Sequence, residues 1–163
     1  MIEEAKLDDL LVLIASEASQ EIHKLMIAID KIDKMNKGEA SQEDVIKALE
    51  EAHAIRLLRQ QHEREFFGIP DNFTVEEFRR TRIGEGGCDF KHCAINFMHN
   101  IEVAQKEIRY MDQAEEDGEK ATHMKYAIRH LRAAKIYKDM AYNIRDMFQK
   151  ELNKMEEEKE VVA

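Results

Sequence analysis

Tryptophan is absent from this chain, proline occurs once and glycine only six times. Helix breakers are therefore few, and they fall in three places: Gly38; the segment carrying Gly68, Pro70, Gly84, Gly86 and Gly87; and Gly118. Three interruptions leave four helices. Cysteine is scarce as well. Cys88 and Cys93 stand five apart at the start of a predicted helix, where they point to different sides and cannot easily bridge. Two reduced thiols suit the cytoplasm. No apolar run exceeds the six residues from Leu10 to Ala15, far below the roughly 20 needed to span a bilayer. The acidic N-terminus has no basic region of the kind that opens a signal peptide, so no membrane is expected as a partner. Positive charge is also in deficit, and the net charge of -9 repels phosphate backbones. Nucleic acid is not an expected partner unless the basic residues cluster.

What the sequence has in abundance is helix-forming and charged side chains. Charged residues make up 36% of it, above the usual quarter, and Ala, Glu, Lys, Arg and Leu together approach half, a composition of long helices. The length suits a single domain, 1–163, with a real core. The fold expected is all-α: an up-down-up-down four-helix bundle with helices over about 3–36, 42–67, 89–115 and 119–155. A short extra helix over about 74–80 sits in the long connection between helices 2 and 3, opened by the capping box Thr74-Val-Glu-Glu77. This connection is expected to cover the bundle end near Leu7, Leu11 and Phe148. Asn36-Lys37-Gly38 reads as a C-terminal cap and Ser41, with Asp44 three residues on, as an N-terminal one.

Apolar spacing assigns the faces. The first helix puts Leu7, Leu11, Ile14, Ala15, Ala18, Ile22, Leu25, Ile29 and Ile32 on its predicted core stripe. In the second helix the stripe of Val45, Ala48, Leu49, Ala52, Ile55 and Phe66 is interrupted by Arg56, Arg59 and Glu63. The third buries Phe90, Ala94, Phe97, Ile101, Ala104, Ile108 and Met111, which leaves His92 and His99 on the far side. In the last helix three adjoining columns form the packed face. One holds Ala127, Ala134, Ala141 and Phe148, the second Tyr126, Ala133, Met140 and Met147, and the third His123, His130, Tyr137 and Ile144.

Two histidines on a packed stripe are the first candidate chemistry. Counting inward from the turns places Glu21 and Arg56 level with the interval from His130 to Tyr137, so Glu21, Arg56, His123, His130 and Tyr137 form an expected buried polar cluster, or a ligand site between helices. Bundles hold metals with inward-facing carboxylates and histidines, and Glu21, His123 and His130 are the candidate ligands for a divalent Zn or Fe. Alternative ligand sets are Glu50 with His53, the only Glu-x-x-His pair where a di-iron centre needs two, and Cys88, His92 and His99, half a zinc site on one side of the third helix. Arg79, Arg80 and Arg82, followed by Gly86 and Gly87 ahead of a helix N-terminus, suit an anion, although the run lacks the Lys-Ser/Thr of a phosphate loop. No nucleophile elbow or dinucleotide fingerprint appears.

The function these features point to is non-catalytic: an interaction or assembly protein, without an assigned cofactor, that forms a homo-oligomer or binds a protein partner. The alternatives are a metal-binding or di-iron-like bundle, and an anion or nucleic-acid module working through the Arg-Gly loop. Self-association is expected because Leu10, Val12, Leu13, Ile27, Leu57, Leu58, Ile95, Met98 and Val103 lie outside the predicted stripes.

Overall fold

The computed structural model describes residues 3–74, 76–77 and 88–162. The protein is all-helical, with four helices and no strand among those residues: α1 (Glu4–Asn36), α2 (Gln42–Phe67), α3 (Cys88–Gln113) and α4 (Asp117–Val162). They fall into two compact units, Met1–Phe66 and Phe67–Ala163, each built around one helical hairpin. No helix among the described residues is long and apolar enough to cross a membrane.

In the first hairpin α1 ends where Gly38 takes φ +77°, a left-handed conformation that glycine adopts without a Cβ clash. The Gly38 amide then donates to the Met35 carbonyl at 3.0 Å and the Glu39 amide to the Lys34 carbonyl at 2.8 Å, the paired bonds of a Schellman end. Ser41 restarts the helix: its amide donates to Asp44 Oδ2 at 2.9 Å, and the Asp44 amide returns to Ser41 Oγ at 3.4 Å. The Ser41 amide, and after it the Ser41 hydroxyl, which donates to the same oxygen at 3.0 Å, hold the Asp44 carboxyl below its ordinary pKa.

The buried apolar residues of this hairpin concentrate at its open end, with Leu7, Leu10, Leu11 and Ile14 on α1 and Phe66 on α2. The predicted stripe continued through Ile22, Leu25, Ile29 and Ile32, but all four are exposed, Ile29 at 61%. A helix within a hairpin buries the side facing its partner, and at this level the buried residues of α2 are the small Val45, Ala48 and Ala52. Leu10, read as outside the core, is buried.

The second unit opens at Phe67, and Gly68, with φ +66°, ends α2 and turns the chain. Phe73 then donates its amide to the Pro70 carbonyl at 3.0 Å, and Thr74 and Glu77 exchange the reciprocal bonds of a capping box at 2.9 and 3.1 Å. Most of the predicted short helix beyond them lies outside the described residues. Phe67, Phe73, Phe90 and Phe148 form one edge-to-face cluster, with Phe67 4.7 Å from Phe90 and 5.3 Å from Phe148, and Phe73 6.3 Å from Phe148. Full burial of one such ring contributes about 1.5–3 kcal/mol.

Helices α3 and α4 are separate, divided at 114–116, and the α4 break falls earlier than the sequence suggested. Gly118 belongs to the first turn of α4, where its carbonyl accepts from Thr122 Oγ1 at 3.0 Å. Along α4 the alanine column packs: Ala127, Ala134, Ala141 and Phe148 are all buried. The neighbouring column behaves differently, since Tyr126, Met140 and Met147 are exposed.

Candidate functional site

Polar side chains enter the packed side of each hairpin. In the first, Glu17 and Glu21 stand one turn apart on α1 and meet Arg59, His62 and Glu63 of α2. The Arg59 guanidinium donates to Glu21 Oε2 from Nε at 3.2 Å and from Nη2 at 2.9 Å, and its Nη1 reaches Glu63 Oε1 at 2.6 Å. Arg59 is only 8% exposed. Burial pulls its pKa down, but the carboxylates of Glu63 and Glu21 outweigh that cost and hold it above the ordinary value. Beside this triad His62 Nδ1 lies 2.6 Å from Glu17 Oε1. The couple is a hydrogen bond when Nδ1 carries the ring proton and donates it to the carboxyl oxygen. Glu17 is 5% exposed, and its second oxygen, Oε2, is buried with no hydrogen-bond partner among the described residues.

The polar cluster predicted from the sequence named Arg56, and here the structure corrects the register. Arg56 is exposed, while Arg59, three residues along the same face, takes its place opposite Glu21. The Schellman turn fixes this offset: with α1 ending at Asn36 and α2 starting at Gln42, Glu17 comes level with His62 and Glu21 with Arg59. Glu17 and His62 were missed altogether. Their signal was in the sequence as acidic and basic residues at i, i+3 and i+4 spacing on the faces that precede Phe66 and follow Ile14.

The second hairpin carries a ladder of imidazoles. His123 Nδ1 lies 2.6 Å from Glu107 Oε2, and His130 Nδ1 lies 2.9 Å from Asn100 Oδ1. The buried Asn100 is itself oriented, because its amide nitrogen donates to the Asn96 carbonyl at 2.8 Å; Oδ1 is thereby left to accept from His130. Tyr137 sits further along the same side, its ring 6.1 Å from that of His92. The Tyr110 ring lies 5.4 Å from His123, and these two residues, with Gln113, Ala114 and Glu119, line an open recess of about 270 Å³ beside the α3–α4 turn. The histidine column of α4 thus faces α3, where Glu107 and Asn100 answer it. Neither partner was singled out from the sequence, since both are isolated polar residues beside an otherwise apolar stripe.

The remaining sequence candidates are dispersed. Glu50 and His53 are exposed on α2, and His92 and His99 are exposed on α3. The side chain of Cys88 lies outside the described residues, as do Arg79, Arg80, Arg82, Gly86 and Gly87. Cys93 is buried, and burial, with Asp89 adding to it, pushes its thiol above the ordinary pKa. Such a thiol is a poor nucleophile. Among the described residues no group of three or more His, Cys, Asp or Glu side chains is gathered closely enough to hold a metal ion. The two carboxylate–imidazole couples and the guanidinium triad each link the two helices of one hairpin. No protein-family model, curated protein or solved structure matches this chain.

Proposed function

We propose that the protein is a non-catalytic interaction or assembly protein that works through its helix surfaces, as a cytoplasmic homo-oligomer. The observation that supports this most directly is the stripe on α1 running through Ile22, Leu25, Met26, Ile29, Ile32 and Met35, six large apolar side chains at helical spacing, all exposed. Scattered apolar residues are normal on a surface, whereas a continuous row marks a face awaiting a partner. The proposed architecture is the up-down-up-down four-helix bundle over a single domain; four helices joined by close turns at 37–41 and 114–116 support it.

A metal-carrying function ranks lower, because Glu21, one of its candidate ligands, already accepts two bonds from Arg59. Light scattering on the purified chain across the micromolar range tests the assembly reading. Oligomers should form at the lower concentrations and dissociate when Met26 and Ile29 are both changed to Gln; a monomer throughout would overturn it.

A further inference from the structure

We propose that the recess beside the α3–α4 turn binds a divalent transition-metal cation of the zinc class through His123 Nε2 and the Glu119 carboxylate. This site goes beyond the assembly reading and does not depend on it. It also differs from the candidate set of Glu21, His123 and His130, because it lies wholly within the α3–α4 hairpin. The two donors stand four residues apart in the first two turns of α4, and both line the recess of about 270 Å³. Residues at this spacing are neighbours on one helix face, and helical side chains lean back towards the N-terminus. The His123 imidazole is thereby directed over the turn that carries Glu119.

Hydrogen bonding selects the donor atoms. Glu107 Oε2 lies 2.6 Å from His123 Nδ1. With the ring proton on Nδ1 and donated to Glu107, Nε2 keeps its lone pair and is the nitrogen left to the recess. A carboxylate behind the imidazole is the outer support of a metal-ligating histidine, since it fixes the ring and raises the basicity of the other nitrogen. The Tyr110 ring, 5.4 Å away, confines the imidazole from a second side. Neither His123 Nε2 nor the Glu119 carboxylate has a hydrogen-bond or ion-pair partner among the described residues. Two electron-pair donors therefore face one recess with nothing to accept from them.

Charge and softness decide the ligand. From Glu107 to Lys120 the chain carries six acidic residues and two basic ones, which outweigh the roughly half positive charge at the N-terminus of α4. A cation is attracted there and an anion repelled. Calcium and magnesium prefer oxygen alone, whereas an imidazole nitrogen beside a carboxylate suits zinc, cobalt, nickel or copper. No third His, Cys, Asp or Glu side chain joins the pair among the described residues, so water fills the remaining positions and the ion stays exchangeable.

The experiment is calorimetric titration of zinc into the full-length chain, purified without a histidine tag, with circular dichroism to confirm helicity. His123→Ala and Glu119→Gln should each weaken zinc binding by about tenfold or more. Glu119 is exposed, so its variant keeps the fold. Glu107→Gln removes only the support and should also cost about tenfold, while His53→Ala, on the other hairpin, should change nothing. Proton–nitrogen correlation NMR of the imidazoles should show zinc shifting His123 Nε2. Zinc affinity that neither His123→Ala nor Glu119→Gln lowers, or the absence of zinc binding at millimolar concentration, overturns the site. A monomeric chain that binds zinc here would overturn the assembly reading alone.

Discussion

Arg59 and Arg56 are three residues apart on one helix and have the same side chain, yet they should respond to mutation in opposite ways. Arg59 is buried between Glu21 and Glu63, so Arg59→Ala strands two carboxylates and should cost about 2–4 kcal/mol. Arg56 is exposed, and Arg56→Ala should stay within about 0.5 kcal/mol; urea denaturation of the two variants checks the contrast. His62→Ala would leave Glu17 with neither oxygen paired in that couple, and the same measurement should show a loss of about 1–3 kcal/mol. Cys93 adds a pH expectation. Because burial and Asp89 raise its pKa above 9.0, the fold favours the neutral thiol. Its contribution is present below that ordinary value and is lost as pH rises from there towards the raised one. Alkylation of Cys93, followed by peptide mapping, should therefore be at least about 100-fold slower in the native protein than in urea at pH 8. Equal rates would show that this part of α3 opens freely.

At the scale of the element, periodicity revealed more than orientation did. The ends of α1 and α2 were legible because Gly38 and Ser41 carry specific cap chemistry, and the alanine column of α4 was legible because small residues recur every seven positions. Whether a stripe is buried along its whole length was not legible, for periodicity reports that one face is apolar and says nothing about where its partner stops. So Ile22, Leu25, Ile29 and Ile32 follow the same spacing as Leu7, Leu11 and Ile14 and yet are exposed. The polar cluster was half legible: Glu21 and the α4 histidines stood out, but choosing between Arg56 and Arg59 needs a register good to less than one helical turn. The alanine column supplies a test at this scale. Ala134 is 3% exposed, and Ala134→Leu should overpack the seam and cost about 1–3 kcal/mol. Ala121→Leu, on the exposed side of the same helix, should be nearly neutral in thermal unfolding. A neutral Ala134→Leu would mean that the seam has room for three more carbons.

For the molecule as a whole, the proposed assembly through the exposed α1 stripe would make stability a matter of concentration. An assembled protein is stabilised by mass action, so a tenfold rise in chain concentration adds about 1.4 kcal/mol for each dimer formed. For a chain of this size 1 kcal/mol moves the melting temperature by about 2–4 °C. Shared between the two chains of a dimer, the tenfold rise corresponds to about 1–3 °C. Calorimetry over a hundredfold range of concentration should accordingly show the melting temperature climbing by about 3–6 °C. Net charge opposes this association, since copies bearing -9 each repel one another. Salt screens that long-range repulsion within a Debye length of about 10 Å at 0.1 M. It leaves the burial of Ile22, Leu25 and Ile29 untouched, because apolar contacts carry no charge to screen. Moderate salt should therefore raise the melting temperature at fixed concentration. A melting temperature independent of both concentration and salt would mean that these faces meet no second copy.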